Sequence, residues 1–232
     1  MKLLAIETST EACSVALWLD GEVRERFEIA PRRHAELTLP WAEQLLAEAG
    51  LKKSQLDAVA IGRGPGAFTG VRLAIAIGQG IALALDRPVV PVSTLAALAV
   101  QASGPRVLAA IDARMGEVYT AAFELRDGDA IALTDERVLV PEVVALPDDH
   151  NGWFGVGTGF AAGEGILADR LRSRFASIDS AALPHAADIA RLGALAYARG
   201  EAVAPERAEP AYLRDNVALT MVEQQALRDA RK

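Results

Sequence analysis

Apolar and polar residues alternate along the first thirty positions in the manner of β-strands. Residues 3–6 are continuously apolar, and residues 13–19 place apolar side chains at every second position. A tight turn at Asp20-Gly21 separates the second segment from a third, residues 22–29. Because the connections are short, the three segments predict an antiparallel meander.

A helix is predicted over residues 34–49. Its apolar residues recur at every fourth position, and Gly50 stands where helices commonly end. These positions are Leu37, Trp41, Leu45 and Ala49. Pro40 interrupts the pattern, so either the regular helix begins there or its first turns are kinked.

A strand, a glycine-rich loop, a helix and a second strand are predicted at residues 56–61, 62–70, 71–85 and 89–92. This order indicates that the two strands pair in parallel. The helical segment is the most apolar run, but its fifteen residues fall short of the roughly 20 that cross a bilayer, so it is interpreted as a core helix. The apolar start of the chain ends at Glu7, too early for a secretory signal, so we expect a cytoplasmic protein.

The remaining pattern predicts a second lobe. Ser93 can cap a helix through residue 102, and Gly104-Pro105 marks a boundary between lobes at 1–103 and 104–232. The later predicted elements are strands at 107–111, 118–125 and 153–156, a hairpin at Asp127-Gly128, helices ending near 174 and spanning 187–199, and a polar helical tail at 216–232. The terminal helix is a candidate to pack back on the first lobe.

The composition fits a globular protein and argues against direct binding of nucleic acid by this chain alone. The 232 residues are 51% hydrophobic, enough for two modest lobes with sizeable cores. A formal net charge of −7 argues against a protein that neutralises nucleic-acid phosphates alone, so any RNA contact needs a partner. Cys13 is the only cysteine, which excludes an internal disulfide and fits a reducing compartment.

The turn after the first strand is a candidate phosphate contact. It combines a carboxylate with three hydroxyls at Glu7, Thr8, Ser9 and Thr10. Backbone amides in such a turn can meet phosphate. In most proteins, hydroxyls at a hairpin satisfy the backbone groups of the turn itself, so the sequence alone favours this structural interpretation over a phosphate contact.

Two glycine-rich segments also follow strands. Residues 62–70 open a helix as phosphate loops do, yet Val71-Arg72 replaces the Lys and the Ser or Thr of a Walker loop. The glycines there are better explained by a sharp turn and close packing. Residues 155–159 read GVGTG, which fits a structural turn at least as well as a nucleotide contact.

Small residues form a row along the helix predicted at 71–85. The row consists of Gly70, Ala74, Gly78 and Ala82. Gly78 and Gly80 each cost about 1 kcal/mol of helix propensity relative to Ala, so another element is expected to approach closely. A crossing helix of the same chain and a helix of a partner both fit this row.

Residues for common catalytic sites are missing from the sequence. His34, His150 and His185 are dispersed and form neither a HxxxH nor a HExxH pair. No GxSxG elbow occurs, and no histidine partner can be assigned to Cys13. The sequence therefore predicts no metal site and no catalytic residues.

Six stretches carry a resemblance to a known family. They are LAIETSTEACSVAL at 4–17, residues 33–50, GRGPGAFTGVR at 62–72, VSTLAALA at 92–99, DARMGEVY at 112–119 and PAYLR at 210–214. Together they span nearly the whole chain in order, and they closely resemble the TsaB family, also called YeaZ.

The resemblance implies an α/β fold of the two-lobed, actin-like (ASKHA, ribonuclease-H-like) type, each lobe a mixed sheet flanked by helices. It implies a non-catalytic subunit that binds and activates TsaD in a bacterial complex with TsaE. That complex forms N6-threonylcarbamoyladenosine next to the anticodon in tRNAs reading codons that begin with A. TsaD carries the HxxxH metal pair there; this chain is expected to have no cofactor of its own, with ATP or ADP a candidate only at the complex interface, and no membrane contact.

Members of this family associate through two helices of the first lobe, which correspond to residues 34–49 and 71–85 here. The implied interface residues are His34, Leu37, Trp41, Leu45, Val71, Ala74, Gly78 and Ala82. The implied assemblies are a heterodimer with TsaD and, in its absence, a homodimer. On this interpretation Gly78→Leu abolishes pairing and leaves a folded monomer.

Two other functions stay open at this point. A stand-alone ATPase or small-molecule kinase of the same fold would use Glu7 for magnesium and residues 8–10 for phosphate. Such kinases usually present Asp and Gly where this chain has Glu7 and Ser9, which weakens that alternative. A stand-alone tRNA-binding module conflicts with the acidic charge and with an aromatic content of 5%.

Overall fold

The structure, a computed structural model, describes residues 1–214, and a five-stranded mixed sheet forms the framework of its first half. The strands are β1 (Lys2–Glu7), β2 (Ala12–Leu19), β3 (Glu22–Ile29), β4 (Ala58–Gly62) and β5 (Val89–Val92). Their order is β3-β2-β1-β4-β5. The first three strands are antiparallel, whereas β4 pairs in parallel with both β1 and β5, so the predicted meander and parallel pair are confirmed.

A six-stranded sheet forms the second half. Its strands are β6 (Arg106–Arg114), β7 (Glu117–Arg126), β8 (Asp129–Ala132), β9 (Arg137–Leu139), β10 (Trp153–Val156) and β11 (Phe175–Asp179). The main order is β11-β10-β6-β7-β8, and β9 also pairs with β7. The hairpin between β7 and β8 is confirmed, but the sequence pattern missed the short strands β9 and β11.

Within the described residues, five α-helices connect and cover the strands. They are α1 (His34–Glu48), α2 (Phe68–Leu85), α3 (Thr94–Ala99), α4 (Ile166–Leu171) and α5 (Ala186–Ala198). Because α1 begins at His34, Pro40 lies inside the helix and does not start it. Ser93 caps α3 as predicted, since its side chain accepts a hydrogen bond from the Ala96 amide.

The helix predicted to end near residue 174 was wrong in extent. Gly163, Glu164 and Gly165 all adopt positive φ angles, which interrupt the helical path before α4. Only the six residues of α4 are α-helical in this region. The tail helix predicted at residues 216–232, with its return to the first lobe, lies outside the described residues.

The helices and the sheets are stacked in layers. α1 and α2 cover one face of the first sheet, α5 covers its other face, α3 lies between the two sheets, and α4 packs on the outer face of the second. Large side chains such as Val59 and Ile61 face α2, whereas Ala58 and Ala60 face α5. A Cβ on Gly193 of α5 would lie 2.9 Å from Ala60 Cβ, so small residues on both sides allow the close approach.

One hydrophobic core joins the two halves of the molecule. Leu95 and Leu98 of α3 share it with Val107 and Ala109 of β6. α5 follows the second sheet in the chain but packs on the first, where the Ala186 amide donates to Ser14 Oγ at 2.8 Å. The division at residues 103 and 104 therefore separates the sheets along the chain, but the two parts share one core.

Candidate functional site

A cleft of about 860 Å³ opens between the two sheets. The turn after β1, the start of α2, the β6–β7 turn and residues 210–214 all contribute to it. Its charged lining consists of Glu11, Arg32, Arg72, Asp112, Arg114 and Arg214, with His34 beside them. Cations outnumber anions in this cleft, although the chain as a whole is acidic.

Only two of the four residues predicted to contact phosphate line the cleft, Ser9 and Thr10. Glu7 is buried, and its carboxylate accepts hydrogen bonds from the Ser9 amide at 2.5 Å and from Thr94 Oγ1 at 3.1 Å. Thr8 is buried as well and donates through Oγ1 to the Gly70 carbonyl at 2.7 Å. Both side chains therefore point into the protein and away from the cleft.

The glycines of the loop before α2 are explained by this buried turn. A Cβ at Gly62 would overlap the Glu7 carboxylate, and a Cβ at Gly70 would overlap the Thr8 carbonyl oxygen. At Gly66 it would lie 2.7 Å from Ser9 Cβ. Close packing, the structural interpretation of this loop, is confirmed.

The second glycine segment also has a structural explanation. Gly157 has a φ of +106°, and a Cβ there would overlap the Ala110 carbonyl oxygen. A Cβ at Gly159 would lie 2.7 Å from Ala110 Cβ. Thr158 lines the cleft, but its Oγ1 already accepts a hydrogen bond from the Asp112 amide at 3.2 Å.

Burial changes the chemistry available to Glu7. Loss of hydration raises the pKa of the Glu7 carboxyl above its usual value, although the hydrogen bonds from Ser9 and Thr94 oppose the shift. A magnesium ligand must be an ionised, accessible carboxylate. The kinase alternative therefore loses the acid that it would need in the first turn.

The three histidines have separate surroundings. His34 Nε2 lies 3.0 Å from the Thr10 carbonyl oxygen, His185 Nδ1 lies 2.9 Å from Glu25 Oε2, and His150 is exposed on the second half. Within residues 1–214, no three His, Cys, Asp or Glu side chains lie together as a metal site would require.

The residues predicted to form the partner interface lie mostly inside the protein. Leu37, Leu45, Val71, Ala74, Gly78 and Ala82 are buried, whereas His34 and Trp41 are half-buried. A Cβ on Gly78 would overlap the Ile61 side chain of β4. The small-residue row therefore packs on the sheet of its own chain, and the prediction that these six residues contact a partner is corrected.

The opposite face of α2 is apolar and, among the described residues, half-buried at Leu73 and Ile77 and otherwise exposed. It comprises Leu73, Ala76, Ile77, Gly80, Leu83 and Ala84, and we call it the outward face. Leu83 is 61% exposed, and nothing lies within 4 Å of a Cβ built on Gly80. The spacing of these residues is visible in the sequence. The partner interface was nevertheless predicted at the small-residue row on the other face, because that row is more regular.

Helix α2 is more exposed to solvent than the core helix that the sequence predicted at this position. By length and composition alone, α2 could cross a membrane, yet only 28% of it is buried. One arc packs on β4, where Val71, Ala74 and Ile75 share a core with Val59 and Ile61. The core-helix interpretation therefore holds for the side of α2 that packs on β4. The exposed apolar residues of the outward face account for the remaining high hydropathy of the helix.

Two mixed sheets with flanking helices and a cleft between them define the actin-like class of α/β proteins. YeaZ from Pseudomonas aeruginosa has this fold, with a TM-score of 0.86 and 50% identity over 91% of this chain and 99% of that one. The chain belongs to the TsaB family, also called YeaZ, so the predicted fold and family are confirmed.

Named relatives support this membership over most of the chain. The tRNA threonylcarbamoyladenosine biosynthesis protein TsaB of Escherichia coli is 44% identical over 94% of this chain and 96% of its own length. The Haemophilus influenzae protein of the same name is 39% identical over 94% of this chain and 95% of its own length. A family model described as TsaD: tRNA N6-adenosine threonylcarbamoyltransferase matches residues 27–221.

Proposed function

We propose that this chain is the non-catalytic partner of a TsaD-type enzyme in the formation of threonylcarbamoyladenosine on tRNA. It binds and activates TsaD in the cytoplasm, within a complex that also includes TsaE. The modified adenosine lies next to the anticodon in tRNAs that read codons beginning with A. The names of its relatives and the TsaD-type family match support the pathway.

The outward face of α2 carries the proposal. Its six residues form one continuous apolar stripe without a charged side chain. Exposed apolar stripes of this kind mark interaction surfaces more often than free surface. The stripe is therefore where a second protein docks.

Gly80 supports docking by a closely approaching element. A glycine inside a helix lowers helix stability by about 1 kcal/mol relative to alanine, so its presence there indicates a steric requirement for a small residue. At Gly78 that requirement arises within the chain, from the contact with Ile61, whereas none of residues 1–214 lies within 4 Å of a Cβ built on Gly80. A partner helix that crosses α2 closely at Gly80 would account for this requirement.

α1 extends the same surface. It lies beside α2 on the first sheet, and Leu39 on its outer side is 48% exposed. Glu43, one helical turn beyond Leu39, is exposed and provides a polar position of the kind found at the rim of protein interfaces. Without TsaD the same surface pairs two copies of this chain.

Chemistry belongs to the partner in this proposal. Among the described residues, Glu7 is buried and the glycine-rich segments are filled by packing, so neither is free to act on a ligand in the cleft. ATP or ADP, where bound, lies at the interface of the complex, and tRNA is contacted only through the complex. The chain's net charge of −7 agrees with an indirect role in tRNA binding.

Light scattering on a mixture of this chain and TsaD tests the proposal. Leu83→Glu places a charge on the outward face and should weaken the heterodimer at least about tenfold, because burying an unpaired charge costs several kcal/mol. Leu133→Glu is the matched control, since Leu133 is 43% exposed on the second half. Equal pairing by Leu83→Glu and the unmodified chain would refute the proposed surface.

A further inference from the structure

The segment that follows α5 runs along the side of α2. The backbone of Val203 pairs with Val89 at the edge of β5. Gln79 on α2 then donates through Nε2 to the carbonyl oxygens of Pro205 at 2.8 Å and Ala208 at 3.2 Å. This segment is therefore tied to α2 before it reaches the cleft.

Residues 210–214, which we call the strap, cross the cleft from one half of the molecule to the other. The Ala211 amide donates to the Arg63 carbonyl at 2.9 Å, in the loop before α2. Tyr212 Oη accepts a hydrogen bond from Arg72 of α2 at 2.9 Å. Arg214 donates to the Ala113 carbonyl at 3.2 Å and pairs with Glu117, both at the β6–β7 turn.

Arg72 is the central contact on the side of α2. Its guanidinium lies 3.3 Å from the centroid of the Phe68 ring and 5.1 Å from that of Tyr212. Such cation–π contacts hold the three side chains as one unit. Because residues four apart share a helix face, Arg72 and Gln79 border Ala76 and Leu83 of the outward face. A protein docked on that face therefore abuts the contacts that hold the strap.

We propose that the strap transmits docking on α2 to the interlobe cleft, an inference that rests on the proposed function. A partner on the outward face fixes α2 and the Phe68–Arg72–Tyr212 unit. The strap then holds the β6–β7 turn through Arg214, and the two sides of the cleft keep a fixed separation. Partner binding and the geometry of the cleft are coupled through five residues of chain.

Hydrogen exchange on the isolated full chain tests the coupling first. Arg72→Ala loosens the strap at α2, and it should speed amide exchange in the β6–β7 turn by about tenfold. Arg214→Ala should in turn speed exchange in the first turn of α2. Arg126→Ala is the matched control, because Arg126 is exposed on β7 and pairs only with Glu124 among the described residues. Effects confined to the mutated end in both variants would overturn the strap proposal.

Hydrogen exchange with TsaD bound tests whether docking on α2 is transmitted to the β6–β7 turn. In the unmodified chain, binding should slow exchange in both the strap and the β6–β7 turn. In Arg214→Ala, the complex should still form, and exchange should slow in the strap alone. Equal slowing of the β6–β7 turn in that variant would overturn the proposal. Failure of the unmodified chain to bind TsaD would instead overturn the proposed function, and the isolated-chain result would still decide whether the strap couples the lobes.

Discussion

At the scale of single residues, the buried turn after β1 explains much of the sequence around it. Glu7, Thr8 and Ser9 each lie against a glycine between the end of β4 and the first turn of α2. Ser9 Oγ is buried and has no hydrogen-bond partner among the described residues, which makes it the least satisfied atom of the turn. The sequence could identify the turn and the loop but not their contact, because more than fifty positions separate the touching residues.

Substitution of Glu7 tests its structural role. Glu7→Gln keeps the shape and can still accept the Ser9 hydrogen bond, so the free energy of unfolding at neutral pH should stay within about 1 kcal/mol. Glu7→Ala removes both acceptors and leaves a cavity, so it should cost about 2–4 kcal/mol. Urea unfolding followed by circular dichroism distinguishes the two. A large loss in Glu7→Gln would show that the ionised carboxylate itself is required.

The contact between His185 and Glu25 predicts a pH dependence of stability. The hydrogen bond to Glu25 raises the pKa of His185 above its usual value, against the opposing effect of burial. Asp188 also favours the charged ring, Arg191 disfavours it, and Phe27 stacks on it. Since the folded pKa exceeds the unfolded one, the stabilisation is complete below about pH 6.5 and is lost as pH rises through the raised pKa.

Urea unfolding at two pH values checks this sign. Between about pH 6 and pH 8, the unmodified chain should lose more free energy of unfolding than Glu25→Gln does, because the variant lacks the carboxylate that binds the proton. The glutamine can still accept the Ala187 amide hydrogen bond made by Glu25. Parallel pH profiles for the two proteins would contradict the interpretation.

At the scale of elements, α2 shows what a sequence pattern can and cannot decide. Its helical character follows from apolar periodicity, and the structure confirms it. Its buried side could not be chosen from sequence, because both the row at Ala74 and Gly78 and the stripe at Ala76 and Gly80 are apolar. The strand β4 decides it, since Ile61 occupies the space beside Gly78.

The two neighbouring glycines of α2 provide a matched test. Gly78→Ala forces a methyl group onto Ile61 and should destabilise the chain by about 1–3 kcal/mol. Gly80→Ala meets open space and should stabilise the isolated chain by about 0.5–1 kcal/mol through helix propensity. The earlier expectation that Gly78→Leu leaves a folded monomer is accordingly withdrawn. Unfolding experiments that rank the two alanine variants the other way would contradict this packing.

Short elements were the hardest to predict. β9 has three residues, and the five residues of β11 are mostly exposed, so neither produces a clear apolar period. The position of β9 is set by its pairing with β7, and that of β11 by its pairing with β10. Such pairing between strands is not visible in the pattern of either short segment. Longer periodic segments such as α5 were predicted to within one residue.

At the scale of the whole molecule, the layers formed by residues 1–214 leave the apolar outward face of α2 largely exposed. The shared core through α3 and α5 buries the facing sides of both sheets. The outward face of α2 is apolar and mostly exposed among residues 1–214, where only Ile77 of its six residues packs against the core. The cleft offers several arginines, yet its first-turn carboxylate is withdrawn into the protein. These features are the ones on which the proposed role as a binding partner rests.

The most direct test measures threonylcarbamoyladenosine formed on tRNA by purified TsaD and TsaE with different forms of this chain. We predict that the unmodified chain and Leu133→Glu support product formation, and that Leu83→Glu lowers the rate at least about tenfold when the subunits are present below the weakened dissociation constant. Product formation by this chain without TsaD, or full activity with Leu83→Glu, would contradict the account.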